Sequence, residues 1–130
     1  MTEEEFLKLP GIYERIKQDT ARIEKMRARL YSPKGLDTRD KVQTSGGSNM
    51  LAETVIDLQQ KLDAKVEAFN KLTAEAGLMI SDNLEGDTAL VMRLRYVDCF
   101  SWAEISAMLD ISEPTLYRYR RVALEIIFKE

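Results

Sequence analysis

The 130-residue sequence predicts an all-α protein, an N-terminal helical hairpin or coiled coil followed by a helix-turn-helix. Two long stretches, about Ile12 to Tyr31 and Met50 to Ala76, place apolar residues at steps of three and four, the period of an amphipathic helix. Two more helix starts lie close together at Ser101 and Ser112, with apolar spacing between them that suits two short crossing helices. The chain then divides into N-terminal helices (1–31), a flexible linker (32–49), a long coiled-coil-like helix (50–78) and the helix-turn-helix domain (79–130).

A chain of this length holds one domain or two small ones. The net charge of −3 excludes a uniformly basic nucleic-acid binder; over residues 1–31, 32–49, 50–86 and 87–130 the balance is +1, +1, −4 and −1. Histidine is absent, which removes histidine catalysis and histidine metal sites. Cys99 is the single cysteine, so no internal disulfide forms and a reducing, cytoplasmic setting is expected. No apolar run approaches the ~18 residues of a membrane span, and the acidic start Met1–Glu5 does not read as a signal peptide. With no nucleophile–base pair, metal-ligand spacing or phosphate loop, neither enzyme activity nor a cofactor is expected.

In the first segment a short apolar turn, Phe6, Leu7 and Leu9, meets a break at Pro10-Gly11. The helix after it carries Ile16, Ile23, Met26 and Leu30 as one narrow stripe. Arg15, Lys17, Arg22, Lys25, Arg27 and Arg29 interleave with acids around that stripe, as on a solvated face. A phosphate-tracking role for Arg22 to Arg29 is the sharper reading, but basic residues beside a narrow seam are as a rule solubilising.

Residues 32–49 lack a helical period and carry Pro33, Gly35, Gly46 and Gly47, hence the linker. Asn49 is placed to cap the next helix, where Leu51, Val55, Leu58, Leu62, Val66 and Phe69 alternate in steps of four and three. So long a helix needs a partner, either the Ile12–Tyr31 stripe or the same helix of a second subunit, which makes a homo-oligomer, a dimer, one expectation. Gly77 is expected to end it, with Leu78–Asp87 as a connector.

From Asp87 a third helix places Leu90, Leu94 and Val97 on one side. Ser101 and Glu104 then form a capping box, Ile105 and Leu109 share a face, and Ile111 points inward from the turn. Ser112 caps the second helix, with Glu113 and Pro114 in its first turn and Leu116 facing the core. Trp102, at a helix junction, fits packing better than base stacking.

Arg95-Tyr96, Trp102-Ala103-Glu104-Ile105, Leu109-Asp110-Ile111-Ser112, Thr115-Leu116 and Ala123-Leu124 occur here in an order that resembles region four of bacterial sigma factors, the part that reads the −35 promoter element. The layout, with Asp40-Lys41-Val42-Gln43 and glycines before Ser48, is similar to the ArpU/RinA-type late transcriptional regulators of phages. The resemblance covers about residues 80 to 128 and implies promoter binding through first-turn and mid-helix positions Glu113, Pro114, Tyr117 and Arg118. It also makes RNA polymerase a possible partner. The chain departs from the pattern at Asp110, where such motifs usually have glycine, and at Ser106, where they usually have alanine; aspartate accepts unusual turn dihedrals and serine is small.

Helical geometry assigns the reading face independently. At ~100° per residue, Leu116, Tyr119, Ala123, Ile126 and Ile127 share the inward side, leaving Pro114, Tyr117, Arg118 and Arg121 outward with Glu113 and Thr115 on the first turn. An arginine fork fits guanine O6 and N7, a glutamate accepts from cytosine N4, and Thr115, Tyr117, Ser101 and Ser112 suit phosphates. Residues 87–130 hold six basic and seven acidic side chains, so this domain lacks the field for tight binding alone. The expected function is therefore a sequence-specific regulator on double-stranded DNA, of phage or prophage late genes, aided by a second copy or by RNA polymerase. Two alternatives stand beside it: a small-terminase-like packaging protein, which a ring-sized mass in solution would favour, and a protein–protein interaction module that binds no DNA.

Overall fold

The computed structural model describes residues 1–31 and 38–129, with the backbone alone at residues 31 and 38–49. The chain is all-α, with six helices and no strand among the described residues. They are α1 (Glu3–Leu7), α2 (Leu9–Tyr31), α3 (Thr38–Asn83), α4 (Gly86–Tyr96), α5 (Trp102–Leu109) and α6 (Glu113–Ile127). The chain divides into two compact units, one of Met1–Tyr13 with Ala68–Glu130 and one of Glu14–Glu67.

In the Glu14–Glu67 unit the α2 stripe finds its partner within the chain. Ile23 of α2 is buried with Val55 and Leu62 of α3, and Ile16, Met26, Leu30, Leu51, Leu58 and Val66 pack around them. Polar pairs along the flank run in opposite order on the two helices: Lys65 Nζ lies 3.1 Å from Asp19, and Arg27 donates to Gln59 at 2.8 Å. The narrow seam read from the sequence is thus occupied by its own neighbour.

Helix boundaries differ from expectation in three places. Pro10-Gly11 does not break α2, which begins at Leu9; a proline in the first helical turn lacks an N–H that would have no intrahelical acceptor anyway. The expected linker is helical from Thr38 onward, so Asn49 is not a cap, and residues 32–37 of that linker lie outside the described residues. Adding a turn to an existing helix is easier than nucleating one, which offsets the ~1 kcal/mol that each glycine costs relative to alanine. Gly77 does not end α3 either. The helix continues to Asn83 because Ala76 and Ile80, both at 0% exposure, extend the buried series of Val55, Leu62 and Phe69.

In the other unit, α4, α5 and α6 enclose a core of Val91, Ile105 and Leu116, each fully buried, under Leu94, Phe100, Trp102, Leu109, Ile111 and Tyr119. The buried residues of α4 are Val91, Met92 and Tyr96; of the expected Leu90, Leu94 and Val97, Leu94 packs against the core, Val97 is half-buried and Leu90 is exposed. This short helix is apolar over much of its circumference, so its period identifies no single face, and its neighbours choose one. The short α1, capped by a Thr2–Glu5 box, belongs here too. Phe6, fully buried, lies against Tyr96 with ring centroids 4.6 Å apart and tilted by 36°, and meets Phe128 edge-on at 5.5 Å.

Candidate nucleic-acid interface

The start of α5 is held by the expected reciprocal cap. Ser101 Oγ accepts from the Glu104 N–H at 3.1 Å, and the Glu104 carboxylate accepts from the Ser101 N–H at 3.1 Å. The helix ends at Asp110, whose φ of 55° and ψ of 45° put it in the left-handed region where a glycine is usual. The Ile111 N–H then bonds back to the Ser106 carbonyl at 3.3 Å, a bond that spans the left-handed residue. Ser106 Oγ donates to the Ile111 carbonyl at 2.6 Å. Both departures from the sigma-like pattern therefore have structural roles in the turn.

Ser112 occupies the N-cap position of α6 with extended backbone, but its side chain caps no N–H. Its hydroxyl instead lies 2.9 Å from that of Thr115, while its carbonyl accepts from the Thr115 and Leu116 N–H groups. The difference follows from chemistry: two hydroxyls three residues apart each satisfy the other, and the Ser112 carbonyl takes the Thr115 N–H that the side chain would otherwise cap.

Along α6, Leu116, Ala123 and Leu124 are buried. Ile126, expected inside, is 48% exposed, and Leu124 takes the inward position. The inward direction is thus rotated toward Leu124, on the same flank as Arg120, whose guanidinium bonds to Tyr96. This rotation leaves the proposed outer face open. Pro114, Tyr117, Arg118 and Arg121 are all exposed. Arg118 and Arg121 make no hydrogen bond or ion pair among the described residues. By contrast, Arg120 donates from Nε to the Tyr96 hydroxyl at 2.9 Å, so this third arginine is spent on packing.

Tyr117 is held in place from two sides. Its hydroxyl donates to Glu113 at 3.3 Å, and its ring meets Trp102 edge-on at 5.4 Å. Trp102 in turn meets Tyr96 at 6.4 Å and carries the Arg95 guanidinium 5.2 Å over its ring. Arg95 also donates to the Phe100 carbonyl at 2.9 Å. Trp102 is therefore a buttress that brings the start of α5 beside the first turns of α6. Tyr96 is a support that spacing alone does not show, since it acts across contacts between helices.

No protein-family model, curated protein or solved structure matches the chain. Its chemistry has to be read from the site alone. The outer face of α6 offers two unpaired guanidinium forks, one carboxylate already steered by a tyrosine hydroxyl, and a pair of hydroxyls, Ser112 and Thr115, at a helix start. This set suits an anionic, hydrogen-bonding surface such as nucleic acid. Among the described residues no cluster of histidine, cysteine and carboxylate side chains suits a metal, and no helix is long and apolar enough to cross a membrane.

Proposed function

We propose that the protein is a sequence-specific regulator that binds double-stranded DNA through α6, laid into the major groove by the α5–turn–α6 pair. The observation that carries this reading is the pair Arg118 and Arg121, three residues apart on one outward side, exposed and unpaired among the described residues, on a helix whose opposite side is buried. Each can take guanine bidentately; Glu113, with Tyr117 beside it, is placed for a cytosine amino group, and the hydroxyls of Ser101, Ser112 and Thr115 for phosphates. No step is catalytic. Together with the resemblance to sigma region four, this supports promoter binding in the cytoplasm, at late genes of a phage or prophage. RNA polymerase or a second copy of the chain would add the affinity that a near-neutral domain lacks.

The test is direct. Duplexes are enriched from a random-sequence pool by the wild-type chain and then presented to the Arg118→Ala/Arg121→Ala variant. The variant should keep its helical circular dichroism and lose on the order of 10²–10³-fold in affinity for the enriched sequence, from ~1–3 kcal/mol per bidentate contact. Unchanged affinity would refute the assignment.

A further inference from the structure

We infer that one flank of α2 is a second DNA-contacting surface, formed by Arg15, Arg22, Lys25 and Arg29, which grips the phosphate backbone without reading sequence. The inference rests on the DNA-binding reading of α6 and adds to it a different set of residues with a different measurable signature.

The argument begins with position on the helix. At ~100° per residue, Arg15, Gln18, Arg22, Lys25 and Arg29 fall within about 80° of one another, and no acid of α2 falls inside that arc. All five are exposed. The acids lie outside it: Glu14 at one border pairs with Lys17 at 3.4 Å, Asp19 at the other lies 3.5 Å from Arg22 and 3.1 Å from Lys65, and Glu24 is on the opposite side. Among the described residues of this unit, Arg27 has Gln59 as a partner and Lys61 has Asp57. Arg15, Lys25 and Arg29 have none among the described residues.

A face that serves only solubility mixes signs, as the exposed side of α3 does with its Asp57–Lys61 pair. The α2 flank carries one sign over four positions. From Arg15 to Arg29 it runs about 21 Å, at ~1.5 Å per residue. That matches the rise of roughly six phosphates along one strand of a duplex. The flank also supplies what residues 87–130 lack, since those carry a net charge of −1.

Salt titration of the full chain tests this. Duplex binding is measured against salt for the wild type and for Arg15→Gln/Arg22→Gln/Lys25→Gln/Arg29→Gln, on an enriched duplex and on an unrelated one. Each lost phosphate contact lowers the slope of log affinity against log salt by ~0.9, so a drop of about 3 to 4 is expected. Both duplexes should weaken by the same factor, leaving the preference between them intact. The variant with lysine at 15, 22 and 29 keeps the charge and should keep the slope. An unchanged slope with the glutamine variant overturns the inference while leaving the α6 reading standing. A lost preference assigns the flank to sequence reading and overturns it as well. A wild-type chain that binds no duplex overturns both.

Discussion

Truncating Leu116 to alanine tests whether the outward face of α6 is set by the core beneath it. Leu116 is fully buried with Val91 and Ile105, and six further apolar side chains close around them. The space left by the truncation is hard to refill. α5 is closed at one end by the Ser101–Glu104 box and at the other by the Ser106–Ile111 bonds, so its ends do not unwind readily to fill the space. The loss should then sit in the middle of the range for buried leucine, about 3–4 kcal/mol. For a small domain stable by roughly 5–15 kcal/mol, that is a large share. Trp102 is the only tryptophan and packs against this same core, so its fluorescence reports on these helices and not on the Glu14–Glu67 unit. With a urea slope of ~1.5 kcal/mol per molar, the unfolding midpoint seen by Trp102 should fall by about 2 M. Leu116→Met, which nearly conserves volume, should cost under ~1.5 kcal/mol and move the midpoint by less than half as much. A fall of under ~0.5 M for the alanine variant would refute the reasoning. Arg118 and Arg121 would then not be presented by a packed core.

Two other outcomes follow from local chemistry. Ser106→Ala removes the 2.6 Å bond to the Ile111 carbonyl at the left-handed turn and should lower stability by ~1 kcal/mol, read by the same fluorescence; no change would mean that water replaces the hydroxyl fully. Glu5 has its carboxyl held below the ordinary range, first because it accepts from the Thr2 N–H and then from the Thr2 hydroxyl. A lowered folded-state value means that the bond stabilises fully above the ordinary glutamate pKa and ceases to do so as pH falls through the lowered one. Wild type should therefore melt above Glu5→Gln at neutral pH, and the gap should close below about pH 4; a gap that widens in acid would contradict that assignment.

Much of the candidate site was legible because its devices are local. The Ser101–Glu104 box, the turn at Asp110 and the spacing of Arg118 and Arg121 each lie within a few residues, and the structure places them where the spacing says. Ser112 was misread for an equally local reason: Thr115, three residues on, took its hydroxyl. The faces of α4 and α6 were harder to read. Their apolar residues exceed what one face can bury, so the period alone does not rank Leu124 over Ile126, or Tyr96 over Leu90.

The sequence by itself determined the helical class, the seam of α2 and α3, the absence of histidine and the near-neutral charge around the turn. Periodicity and composition are properties of the chain and need no partner to be read. The tertiary structure decided how the helices share out their burial. Phe6 belongs with Tyr96 and Phe128, and Gly77 lies inside a helix, because the buried residues that flank it, Ala76 and Ile80, hold the backbone in register. The packing role that the junction position of Trp102 already favoured acquired its partners there: Tyr96, Tyr117 and the Arg95 guanidinium over its ring. Which arginines remain unpaired was decided there as well. Arg120 and Arg118 are two positions apart and chemically alike, yet only the first finds a tyrosine hydroxyl across the helix pair.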